Sequence, residues 1–196
     1  MEYDSILLNL KRHVDLNQTE TDFFTSLLRP LALPKRAFLL REGEICRYEN
    51  FVAQGCLRTY YVDYEGVEHI VHFSTEDWWT GDLYSFLTQT PARYYIEALE
   101  DSQLWQISKV DLDRLYGQVP KMERFFRIML QNAYIAQTQR LTQNLSEVAE
   151  TRYQHFLEKH AGLEQRVPQK YIASYLGITP EFLSMIRRKR TQKGIS

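Results

Sequence analysis

The stretch "QKYIASYLGITPEFLSMIRRKR", residues 169–190, sets one acid, Glu181, before an unbroken run of cations, Arg187, Arg188, Lys189 and Arg190. Those groups break no bonds. A carboxylate can accept from the amino group of cytosine, and guanidinium and ammonium groups neutralise phosphates. Elsewhere the chemistry is sparser. His69 and His72 in "HIVH" lie three apart on a predicted strand, so they face opposite sides, and no carboxylate–histidine cluster completes a metal set. Cys46 and Cys56 are too few for a zinc or iron–sulfur site and read as small hydrophobes in a reducing compartment. The pair Trp78 and Trp79 after Asp77 reads as core or rim filling. No nucleophile–base constellation, phosphate loop or metal quartet occurs. The sequence therefore predicts no catalytic residue, no metal and no cofactor, and the chain is not read as an enzyme.

The charge distribution favours a polyanion at one end. Residues 166–196 hold seven Lys/Arg and one acid, a local charge of +6, while the other 165 carry 17 basic and 24 acidic side chains, a charge of −7. The net charge of −1 hides an acidic body with a basic tail. The polar, charged opening "MEYDSILLNLKRH" is no secretory leader, and no run reaches the length of a membrane span, so a cytoplasmic location and no membrane partner are expected.

The elements that must position these residues fall into three regions. The first thirty residues read as helices, with Thr19 and Asp22 as a capping-box-like start to the second and Pro30 and Pro34 as stops. From Ala37 to Ile107, short β-rich runs alternate with turns, and Gly43, Gly55, Gly66 and Gly81 recur with the rhythm of a small antiparallel barrel or sandwich. After Pro120 the pattern is helical. Met122, Phe126, Met129, Ala133 and Ala136 step by four and three, a coiled-coil seam two heptads long that also suits packing within one chain. Ser146 is the candidate N-cap of a following helix, and Gly162 to Pro168 reads as a linker.

The closing stretch matches a helix-turn-helix. Its first helix runs from Pro168 to about Leu176, with Ile172 and Leu176 inward and Ala173 small enough for a close crossing. Gly177 makes the turn, Ile178 tucks beneath it, Thr179 is the N-cap, Pro180 suits the first helical position, and Leu183 and Ile186 face inward. This leaves Gln169, Thr179, Pro180, Glu181, Ser184, Arg187, Arg188, Lys189 and Arg190 as the DNA-binding candidates, with Met185 also exposed. A solvated basic end that merely favours the helix dipole is the blander alternative.

A glycine-punctuated β-roll, a long helix and this hairpin together resemble the Crp/Fnr transcription regulators. The resemblance rests on "REGE" at 41–44, "FVAQGCLRTYYVDYEGVEH" at 51–69, "GDLYSFL" at 81–87 and the hairpin, and it covers nearly the whole chain. It implies an α+β fold: a cyclic-nucleotide-binding-like β-roll of double-stranded jelly-roll type, a long dimerisation helix and a C-terminal helix-turn-helix domain. The corresponding ranges are 1–118 for the N-terminal helices and roll, 119–143 for the dimerisation helix and 144–196 for the DNA-binding domain. It places the base-contacting helix on Thr179–Arg190 and the base-reading acid on Glu181. Pro180 and Met185 stand where many members have arginines, so the usual operator is not implied. The chain ends soon after that helix, so the wing that usually follows is expected to be short or absent.

In nucleotide-binding members a Gly-Glu pair opens a short helix, and an arginine and a small residue follow. The acid accepts from the ribose, and arginine with helix-end amides holds the phosphate. Here the pair is Gly81-Asp82. Ala92 falls where the arginine belongs, with Arg93 one place late, and Tyr94 and Tyr95 replace small residues. An effector pocket is thus sketched by Gly81, Asp82, Leu83, Tyr84, Ser85, Arg93 and Tyr94, and it is not expected to hold cyclic AMP.

The resulting reading is a homodimeric regulator of bacterial type that binds double-stranded DNA at a pseudo-palindromic operator. RNA polymerase is a further candidate partner and the small-molecule effector is unidentified. A signal would act by shifting the roll against the Met122–Ala136 helix. The alternative is a ligand-sensing or protein-interaction module that binds no DNA, with a metal-dependent cupin enzyme third.

Overall fold

The computed structural model describes residues 2–193. The chain divides into two compact units, one of residues 1–62 and 71–132, the other of residues 63–70 with the chain from 133 onward.

The first unit opens with α1 (Asp4–Lys11) and α2 (Gln18–Ser26). The start of α2 is a capping box two residues earlier than Thr19 and Asp22. The Asn17 side chain accepts from the Glu20 amide at 2.9 Å, and the Glu20 carboxylate accepts from the Asn17 amide at 2.8 Å. Asp22 instead accepts from the Gln18 side chain at 2.7 Å.

Eight strands follow in chain order: β1 (Arg29–Leu33), β2 (Phe38–Leu40), β3 (Tyr48–Gln54), β4 (Leu57–Val62), β5 (Glu68–Ser74), β6 (Trp78–Thr80), β7 (Tyr95–Ala98) and β8 (Ser102–Ser108). Two four-stranded sheets result, ordered β1-β8-β3-β6 and β2-β7-β4-β5. Pro30, read from sequence as a stop, lies within β1 opposite Trp105. As the edge strand, β1 tolerates a residue without a backbone donor.

Helix α3 (Leu83–Thr88) links β6 to β7, and α4 (Lys109–Gln118) leads into α5 (Lys121–Ser146). In the core of this unit, Phe24, Phe51, Leu57, Phe86, Leu104 and Ile107 are fully buried. Trp79 packs on Phe51, Phe125 and Phe126 with ring centroids 5.5, 6.1 and 5.2 Å away, and its indole donates to Asn9 at 3.2 Å. Trp79 is thus a core residue. Each aromatic so buried contributes roughly 1.5–3 kcal/mol, which fixes the first turns of α5 to the roll.

The second unit holds the later part of α5 with α6 (Ala149–Lys159), α7 (Leu163–Arg166), α8 (Gln169–Leu176) and α9 (Pro180–Lys193). Val148 is the N-cap of α6. Ser146 closes α5 instead, its hydroxyl donating to the Thr142 carbonyl at 2.8 Å. The expected linker after Gly162 contains α7, held by buried Leu163. Ile172, Ala173, Leu176, Leu183 and Ile186 are all buried where α8 and α9 cross. Gly177 turns the chain at φ +66°, a conformation that side chains with a Cβ resist. The Gly177 amide donates to Ser174 O at 3.1 Å and that of Ile178 to Ala173 O at 3.0 Å, the bond pair of a Schellman turn.

Residues 63–70 form a hairpin tip that belongs to this unit. Its turn is drawn around Asp63, whose carboxylate accepts from the amides of Glu65 and Val67 at 2.9 and 3.0 Å and meets His69 at 2.7 Å. Ser174 of α8 fastens the tip. Its hydroxyl donates to Glu68 O at 2.9 Å and accepts from the Ile70 amide at 3.0 Å.

Candidate nucleic-acid interface and roll pocket

On α9 the residues that face inward are spaced to leave a complementary outer face. Thr179 caps the helix, its hydroxyl accepting from the Phe182 amide at 3.2 Å. Thr179, Pro180, Glu181, Arg188, Lys189 and Arg190 are all exposed. Arg188, Lys189 and Arg190 have no ion pair among the described residues, so their charges are open to a polyanion. Ser184 lies beside Gln169 of α8, hydroxyl to amide oxygen at 3.5 Å, which joins the start of α8 to the outer face of α9.

Arg187 departs from its expected place. Its guanidinium meets Glu164 of α7 at 2.7 Å, and the same carboxylate accepts from the Tyr153 hydroxyl at 2.9 Å. The residue ties α9 to its own unit, so it is not a free phosphate clamp. Phe182 was overlooked as a surface group. With Met185 it leaves an exposed apolar pair beside Glu181. It stands one residue before buried Leu183, a step of about 100° round the helix, which turns part of its ring off the inner face. The expectation about a wing concerns residues outside the described ones.

The dimer-seam expectation is corrected in part. Met122 is fully buried and Phe126 nearly so in the core of the first unit, and Met129 packs against that core. Ala133 is exposed and Ala136 half-buried. In the second unit, the exposed large apolar groups of α5 among the described residues are Tyr134, Ile135, Leu141 and Leu145, and Tyr134, Leu141 and Leu145 are exposed by 74%, 60% and 81%. Tyr134, Thr138, Leu141 and Leu145 step by four, three and four, the spacing of a coiled-coil seam, with Ile135 beside it.

In the roll, Asp82 caps α3 and is itself buried. One carboxylate oxygen accepts from the Ser85 amide at 3.0 Å and the other from the Arg93 amide at 3.2 Å. The Ser85 hydroxyl accepts from the Cys46 amide at 2.9 Å and donates to Thr90 O at 2.6 Å. Gly81 lies against Glu49, whose carboxyl oxygens stand 3.1 Å from where a Cβ would sit. Burial and the neighbouring Asp82 push the Glu49 carboxyl up to about 7. Burial likewise raises the Cys46 thiol to about 11, which leaves it an inert packing group.

Of the sketched pocket, Gly81, Asp82, Ser85 and the Arg93 backbone converge, while the Arg93, Leu83 and Tyr84 side chains are exposed and Tyr94 is half-buried. Ala92, buried, occupies the inward position. The helix-end amides that would hold a phosphate therefore already serve an aspartate, with a second acid behind it.

Residues 30–118 match the family described as cyclic nucleotide-binding domain, so the first unit carries a β-roll of that class. The likeness extends further along the chain. It is 26% identical to the anaerobic regulatory protein of Haemophilus influenzae over 92% of this chain and 74% of that one. It is 25% identical to the fumarate and nitrate reduction regulatory protein of Vibrio cholerae over 87% and 72%. The structure of FixK2 from Bradyrhizobium japonicum superposes with a TM-score of 0.74 at 18% identity, covering 86% of each chain. Along most of its length the chain thus resembles transcription regulators of the Crp/Fnr type. No helix among the described residues is long and apolar enough to cross a membrane.

Proposed function

We propose that this protein is a homodimeric transcription regulator that reads a pseudo-palindromic operator through α9. The observation that carries the reading is the outer face of α9. Glu181 and Met185 point outward near its start, and three unpaired cations follow, on a helix locked to α8 by buried Leu183 and Ile186. Residues near the start of such a helix meet base edges in the major groove, and the later cations meet phosphates. Glu181 accepts from a cytosine amino group. Met185 and Phe182 offer no donor and suit the methyl of thymine.

Two copies joined along Tyr134, Leu141 and Leu145 would bring two α9 helices to neighbouring major grooves about 34 Å apart, one DNA turn. The roll acts as an effector or coupling domain that does not bind cyclic AMP, because Asp82 and Glu49 would confront its phosphate. Strands β4 and β5 run directly into the 63–70 tip, which Ser174 fastens to α8 by two hydrogen bonds, so a change in those strands has a route to the reading helix.

The test is binding of mixed-sequence duplex DNA as a function of salt, with wild type and Arg188→Ala. Affinity falling steeply with salt, with a slope reduced by about one for the variant, is the expected result. An absence of binding at low salt would remove the DNA reading.

A further inference from the structure

In the second unit, α5, α6 and the end of α8 enclose a cleft of about 400 Å³. The size suits a nucleotide-scale ligand. Its charge is one-sided. Arg140, Arg152 and Lys159 line it with His155, against a single lining carboxylate, Glu158.

The two arginines are held by neutral backbone carbonyls, which leave their positive charge in the cleft. Arg152 donates to the carbonyls of Glu147 at 2.7 Å and Leu176 at 3.0 Å, while its Nε is buried with no hydrogen-bond partner. Glu147 stands 3.2 Å from His155. Glu158 accepts from Gln154 at 2.9 Å. Lys159 has no ion pair among the described residues, and burial with the nearby charge of Arg140 pulls its ammonium below the usual lysine range. Arg140 is fixed by donating to Tyr175 O at 2.9 Å and by lying over the Tyr175 ring at 3.9 Å. Arg152 is half-buried and Lys159 stands exposed at the cleft rim, so cations gathered along one cleft are stabilised by an anion that enters it. The carboxamides of Gln139 and Asn144 on the α5 wall add neutral donors for the rest of a ligand.

We propose that this cleft binds a phosphate-bearing small molecule, with Lys159 and Arg152 on the phosphate. Oxygen-rich tetrahedral anions suit a guanidinium edge and an ammonium together. The site is separate from the reading face. Gln169 marks that face at the start of α8, and Tyr175 and Leu176 line the cleft at its end, about 10 Å along the helix at 1.5 Å per residue. It does not depend on the chain binding DNA.

The full chain would be titrated with inorganic phosphate, pyrophosphate and AMP by calorimetry and thermal melting, as wild type, Lys159→Gln and Lys159→Arg. Saturable binding of pyrophosphate or AMP that raises the melting midpoint by several degrees is expected. Lys159→Gln weakens it at least tenfold and Lys159→Arg restores it. The proposal is overturned if none of the three compounds binds, or if Lys159→Gln binds them as wild type does. It also fails if mixed-sequence duplex DNA displaces AMP and Lys159→Gln lowers DNA affinity equally, since the cleft would then hold backbone phosphate.

Discussion

Replacing Glu49 by glutamine should make the protein more stable at pH 8 by about 3 kcal/mol and at pH 5 by less than about 1 kcal/mol. Glu49 is 7% exposed, packed against Gly81 and close to the buried carboxylate of Asp82. Burial first, and then the charge of Asp82, disfavour its ionised form, which raises the carboxyl from 4.5 to about 7 in the folded protein. Between those values the folded chain keeps a proton that the unfolded chain has released. Stability therefore falls as pH rises through that window and is flat above it. At 1.36 kcal/mol per unit over about 2.5 units, the cost at pH 8 is about 3 kcal/mol. Cys46 and Tyr116, also raised by burial, stay neutral throughout and leave the difference to Glu49. Glutamine keeps the shape and never ionises. Urea denaturation of both proteins at pH 5 and pH 8 measures the gap directly. A gap of equal size at the two pH values, or a variant weaker at pH 8, would refute the reasoning.

Three further outcomes follow from the geometry. Once an operator is known, deoxyuridine in place of the thymine facing Met185 should cost about 0.8 kcal/mol per half-site, roughly fifteenfold over two half-sites. Met185→Ala should abolish that difference in a filter-binding assay. Leu141→Lys places a charge in the proposed seam and removes burial worth roughly 1.5–3 kcal/mol per copy, so sedimentation should show dimerisation weakened by on the order of 100-fold or more. Ser174→Ala leaves the Ile70 amide without its acceptor at a cost of about 1–3 kcal/mol. Hydrogen exchange at Ile70 should accelerate markedly, while amides of β8 stay protected.

The parts of the fold that could be read from residues were those fixed by local chemistry. Gly177, Thr179 and the spacing of Ile172, Leu176, Leu183 and Ile186 specify a tight turn between two helices, and each occupies the place its chemistry demands. Asp82 at the start of a short helix was implied by the family resemblance, and it caps α3 there. Long-range packing was not legible. The four-and-three periodicity of Met122, Phe126 and Met129 is the same whether a helix faces its own roll or a second copy, and only burial separates the two. β1 was hidden because proline usually ends a strand, yet an edge position removes the objection. Arg187 looked like its neighbours in a basic run, and its partner Glu164 lies on another helix 23 positions earlier. The capping box slipped to Asn17 and Glu20 because asparagine and threonine cap almost equally well.

The central claim is that α9 reads DNA sequence as one half of a symmetric pair. Selection from a random duplex pool, run with wild type and Glu181→Ala and followed by sequencing, tests it most directly. An enriched palindrome with half-sites about one DNA turn apart, altered by the variant at one symmetric position, is the predicted result. No enrichment at low salt, with or without cyclic nucleotides and cell extract, would contradict it.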